Sequence, residues 1–253
     1  MADVFLLEWT FTPPDFFEEA VTFTSERGSI SIESGRAEAR VLANLYPPDH
    51  SLRNQLHEEL NARFLAAQVL GHKAYTLSKS TLSRLHPDGR RDAWLFAEPG
   101  MLTLSGGIAD FVVHDASGRV IRDTRKERIE RRIELAQRAS VFITDTVANA
   151  ILRSYSAAVN DPKNELVHLY EIRDALSQHF GGGSAATAAL QISSAQWSRL
   201  GQLSNNEPLT QGRHRGKQLG VLRDATNAEL TEARDIARAM IESYLAYLHA
   251  DKK

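Results

Sequence analysis

The sequence predicts an α+β protein. Residues 1–122 read as a mostly antiparallel β-sheet with one covering helix, and residues 123–253 as an all-α helical bundle. Three observations predict this. Apolar residues alternate with a period near two through the first forty-odd positions, and again toward residue 122. One stretch of helical spacing, "SLRNQLHEELNARFLAAQVLG", lies between those regions. After residue 124 no segment alternates, and apolar residues recur three and four positions apart.

"VFLLEWTFTP" reads as a first strand, and "AVTFTSERGSISIESGRAEARVL" as further strands broken at Gly28 and Gly35. Pro47 and Pro48 close this section. Asp49 or Ser51 can cap the following helix, whose Leu52, Leu56, Leu60 and Phe64 share a face. "HPDGRRD" is a turn, followed by "AWLFAE", "GMLTLSGG" and a hairpin, "ADFVVHD-ASG-RVIRDT". Thr124 and Glu127 have capping-box spacing, and Ile129, Ile133, Ala136, Ile143, Val147 and Ile151 follow helical spacing with one irregular step. Pro162 suits the first turn of the next helix, "KNELVHLYEIRDALSQHF", which "GGG" at 181–183 ends. Two short helices fit "SAATAAL" and "SSAQWSRLGQL". A second capping box, Thr226 with Glu229, opens the final helix, with Leu230, Ala233, Ala237, Met240, Ile241, Tyr244 and Leu248 along one stripe.

Composition removes several function classes. With 253 residues, 42% hydrophobic and 25% charged, the formal net charge is −2, which argues against a globally basic nucleic-acid binder and leaves room for a local basic site. Without cysteine there is no disulfide, thiolate zinc site or cysteine nucleophile, and a reducing cytoplasm is the expected compartment. "MADVFLLEWTFTPPDFF" lacks a basic start, so no signal peptide is expected, and no apolar run reaches the roughly 18–20 residues of a membrane helix. No H-E-x-x-H spacing or dense carboxylate cluster occurs, so neither metal nor cofactor is expected.

The segment "QGRHRGKQ" concentrates Arg213, His214, Arg215 and Lys217 within five residues. Guanidinium forks and flanking glycines can receive phosphate oxygens, although a solvated linker is an equally simple reading. It is not a Walker A loop: it is one residue short, follows no strand, and has Gln218 where Ser or Thr should bind magnesium. Arg173 falls in the middle of the face defined by Leu166, Leu169, Tyr170, Leu176 and Phe180. A guanidinium there must be paired, must snorkel to solvent, or must project into a groove or a partner chain. Residues 184–203 have near helix-turn-helix spacing, with Gln191 at the turn glycine's place and Arg199 as a phosphate or base contact; core packing of Trp197 explains the same pattern.

From about residue 124 to 250 the long helices, the Arg-His loop and the final amphipathic helix resemble the HEPN superfamily of bacterial immunity and toxin systems. A β-rich domain ahead of such a bundle is similar to ApeA-like defence proteins. The resemblance implies an RNA-acting protein, a metal-independent endoribonuclease using an R-x4-6-H motif at a homodimer interface. "RDALSQH" (Arg173, Asp174, His179) satisfies that spacing, but inside one helix and on diverging faces; in "GRHRGK" no histidine follows Arg213 at the required distance. On this reading His214, Arg213 and Arg173 are the candidate catalytic residues, and Arg215, Lys217 and Arg199 the candidate nucleic-acid contacts. The alternatives are a non-enzymatic binding or regulatory subunit of a larger complex, and a helix-turn-helix DNA-binding regulator.

Overall fold

The computed structural model describes residues 3–47, 51–94, 112–114, 120–213 and 222–251. Two compact units divide the chain. The first takes residues 1–67 and 75–137, the second 68–74 and 138–253. The strand-to-helix change near residue 123 is therefore not where the compact units part.

The first unit is built on an antiparallel sheet of seven strands: β1 (Val4–Thr12), β2 (Val21–Ser25), β3 (Gly28–Glu33), β4 (Arg36–Leu42), β5 (Thr76–Leu77), β6 (Thr81–Leu85) and β7 (Arg91–Trp94). Their order is β2-β3-β4-β1-β6-β7, with β5 also on β1. Two-residue turns at 26–27 and 34–35 set the registers, pairing Phe23 with Ile30 and Ile32 with Ala37. Alternation puts Leu7, Trp9 and Phe11 of β1 in one core with Leu52, Leu56, Leu60 and Phe64 of α1 (Ser51–Gly71). The covering helix and its apolar stripe are as the sequence predicts.

β5 and β6 have no counterpart in the sequence reading. β7 ends at Trp94, and "GMLTLSGG" lies outside the described residues. The hairpin forms as expected, with β8 (Val112–His114) on β9 (Val120–Asp123).

The chain then enters α2 (Thr124–Val141), most of which belongs to the first unit. Its cap is Asp123, whose Oδ1 accepts from Lys126 N at 3.0 Å, one residue before the predicted Thr124. Arg125, Arg128 and Arg132 face two carboxylates at the end of "DFFEEA". Arg125 pairs with Glu19 at 2.9 Å, and Arg128 donates twice to Glu18. Arg132 donates to Phe16 O at 3.0 Å and lies 3.2 Å from Glu18.

The second unit is helical: α3 (Thr146–Asn160), α4 (Glu165–Phe180), α5 (Gly183–Leu190), α6 (Ser194–Gly201) and α7 (Asn227–Asp251). The irregular step in the sequence is the break between α2 and α3, where Asp145 caps Ala148 N at 2.7 Å. α4 packs against α3 and α7; Leu166, Leu169 and Leu176 of α4 are buried, as are Ala237, Ile241 and Tyr244 of the predicted α7 stripe. α4 ends as the glycine run predicts, with Gly181 left-handed and Gly182 N donating to Ser177 O at 2.8 Å. Gln191 takes the left-handed turn between α5 and α6. A Cβ on Gly183 would lie 2.7 Å from Trp197 Nε1, so the two short helices touch with no side chain between them at that point. The Thr226–Glu229 capping box forms in full: Glu229 N donates to Thr226 Oγ1 at 3.2 Å, and Thr226 N donates to Glu229 Oε2 at 2.8 Å. After α2, the described residues hold no strand, only one isolated bridge between Leu209 and Arg223. Among the described residues no helix is long and apolar enough to cross a membrane.

Candidate phosphate-binding site

Arg173 lies where the helical spacing puts it, on the buried side of α4. Its guanidinium carbon is 5.0 Å from the Tyr170 ring centroid and 5.1 Å from that of Trp197. One Nη donates to Tyr170 Oη at 2.7 Å, while Nε is buried with no partner. Gly201, one turn after Trp197 on α6, backs onto the same group, its Cβ direction 3.4 Å from Cζ. No carboxylate pairs with Arg173 among the described residues. Asp174, the next residue on α4, is held by Arg213.

Arg213 reaches the same ring from the loop after α6. Its Cζ is 4.5 Å from the Tyr170 centroid, and Nη1 donates to Asp174 Oδ2 at 2.7 Å. A π-helical turn over Gln202–Asn206 holds its backbone. Such a turn bonds i to i+5, here Glu207 N to Gln202 O at 3.0 Å, and its Ser204 carbonyl accepts from Arg213 N at 2.7 Å. The outcome is two guanidiniums and one carboxylate around a single tyrosine. An arginine fork in such a place has unspent donors of the kind that bind phosphate oxygens.

His214, Arg215 and Lys217 lie outside the described residues. Arg199 leaves α6 on a different side and is already engaged. Its Nε is 3.1 Å from both Glu232 oxygens and its Nη2 is 3.0 Å from one. That ion pair sits in an open groove of about 1230 Å³ between α6 and the first half of α7. α4 runs unbroken to Phe180, so His179 stays about 240° round the helix from Arg173. Its ring meets Tyr244 edge-on at 5.5 Å and Phe180 at 4.7 Å, and the R-x5-H pair does not converge within one chain.

A second polar cluster went unread in the sequence. Glu165, 1% exposed, accepts from Arg234 Nε at 2.5 Å and Nη2 at 2.8 Å. His72 lies 3.6 Å from Glu165 through Nε2 and 3.3 Å from Tyr155 Oη through Nδ1. Burial first, then the Arg234 and Arg238 charges, hold His72 down to about 4. Burial also raises Tyr155. Arg238 donates to Val69 O at 3.0 Å and pairs with Asp235 at 3.1 Å. Arg234 and Arg238 stand four apart on α7, a spacing visible in the sequence, but Glu165 and His72 are about seventy to one hundred and sixty positions away. This set is internally satisfied, with Glu165 bound on both oxygens, and offers a ligand little.

Compared with protein-family models, characterised proteins and solved structures, the chain matches none.

Proposed function

We propose that the helical unit binds RNA, with Arg173 and Arg213 as its phosphate contacts. The observation that carries this reading is the half-buried Arg173 guanidinium, braced by two aromatic rings and lacking a carboxylate among the described residues. A cation withdrawn from water is costly unless an anion shares its site, and two forks beside one tyrosine suit phosphate oxygens. The choice of RNA as the polymer rests on the resemblance in sequence layout of residues 124–250 to HEPN proteins. Duplex reading by α5 and α6 is less favoured, because Glu232 occupies the fork of Arg199. Binding is favoured over cleavage, because His179 and Arg173 occupy diverging faces of α4.

Fluorescence anisotropy with a labelled single-stranded RNA tests this. Arg173→Ala and Arg213→Ala should each weaken binding about ten- to one-hundredfold, as expected for losing a charge-assisted hydrogen bond worth about 1.5–3 kcal/mol. If both variants bind as the wild type does, the reading fails. The same RNA incubated in EDTA should stay intact. Cleavage that disappears in His214→Ala or His179→Ala would replace binding with a metal-independent ribonuclease.

A further inference from the structure

Three polar atoms in the helical unit are buried without a hydrogen-bond partner close to the Arg173 site: Arg173 Nε, Ser204 Oγ and Asn205 Oδ1. Ser204 is 1% exposed. α4 and the π-turn pack against each other. Gly201, which backs onto the Arg173 guanidinium, immediately precedes the π-turn and stands only three and four positions before Ser204 and Asn205. Folded proteins leave few such atoms, and π-turns concentrate where ligands bind.

We propose that Arg173, Ser204 and Asn205 form a seat for a terminal phosphate monoester, so that the helical unit recognises the phosphorylated end of an RNA strand. The choice of RNA as the carrier rests on the function proposed above; the seat itself needs only the phosphate. An internal phosphodiester has two non-bridging oxygens and one charge. A terminal monoester has three, with a charge of about −1.5 to −2 at neutral pH. Arg173 can present Nε–H and an Nη–H side by side to two of those oxygens. The Ser204 hydroxyl donates to the third. The Asn205 carboxamide, whose oxygen and nitrogen exchange places by a flip, turns its NH2 toward the anion. Arg213 adds a second positive charge beside Tyr170, and the one carboxylate of the cluster, Asp174, is held by Arg213.

The full chain and inorganic phosphate give the first test. Phosphate should raise the melting temperature of the wild type above a sodium chloride control of equal ionic strength, and the rise should vanish in Ser204→Ala. Circular dichroism checks that the variant is folded, and Arg173→Lys, which keeps the charge but loses the fork, should also lose the rise. The second test compares one RNA sequence bearing a 5′-phosphate, a 3′-phosphate or hydroxyls at both ends. The wild type should prefer one phosphorylated strand about tenfold, and Ser204→Ala and Asn205→Ala should cut that preference to within about twofold. Equal affinity for all three strands, with no phosphate-induced shift, overturns the seat while leaving RNA binding in place. A phosphate shift that Ser204→Ala abolishes, in a protein that binds no RNA, overturns the RNA reading and leaves the seat as a site for a smaller phosphate ester.

Discussion

At the level of single residues, the strongest constraint lies away from the proposed site. Glu165 is buried and bound on both oxygens by Arg234. Glu165→Ala strands that guanidinium and should cost about 3–5 kcal/mol in urea denaturation. His72 makes stability depend on acid. Its folded-state value of about 4 lies below the ordinary 6.5, so near pH 7 the imidazole is neutral in both states. As pH falls from 6.5 toward 4, the unfolded chain takes a proton that the folded one refuses, and roughly 2–3 kcal/mol should be lost. His72→Gln should lose less stability than the wild type between pH 7 and 4.5; equal losses would show that His72 contributes nothing to acid sensitivity. These contacts were illegible because they join residues far apart in the chain, whereas Arg173 was legible because one charge amid five apolar positions breaks a local pattern.

At the level of elements, local chemistry was readable where it was self-contained. The Thr226–Glu229 box forms as its spacing predicts, and Arg223 helps to hold the Glu229 carboxyl down to about 2. Thr226→Ala should cost about 1 kcal/mol of stability, measured by thermal melting. The equivalent pattern at Thr124 and Glu127 was misleading, because Asp123 supplies the cap and Glu127 pairs with Arg122 at 3.3 Å. β6 was missed for a different reason. Arg84 stands where alternation asks for an apolar residue beside Leu82, and it is tied to Asp3 and laid 5.6 Å over Phe5. α2 was helical as expected, but its cationic edge answers to Glu18 and Glu19 in the same unit. Glu18→Ala, which deprives both Arg128 and the buried Arg132, should destabilise by about 3 kcal/mol. Glu19→Ala, an exposed pairing, should cost under about 1 kcal/mol.

At the level of the whole molecule, the order of sheet then helices was legible because period two and period 3.6 leave different traces in a sequence. The division into units was not, since which unit a helix joins depends on pairings that periodicity does not record. The net charge of −2 also bears on the proposed function. A slightly acidic protein has no net charge that draws RNA from a distance, so affinity must come from local contacts. If Arg173 and Arg213 are those contacts, log K against log salt should fall with a slope of about −1.4 for a single strand. A slope steeper than about −3 would show that further cations take part.

Among the described glycines of the helical unit, Gly183 has the smallest margin, set by its bare contact with the Trp197 indole. In a library carrying every amino acid at every position, 183 should be among the least forgiving sites of the last seventy residues. A methyl group there would wedge the indole away from its neighbours and, through it, loosen the brace on the charge beside it.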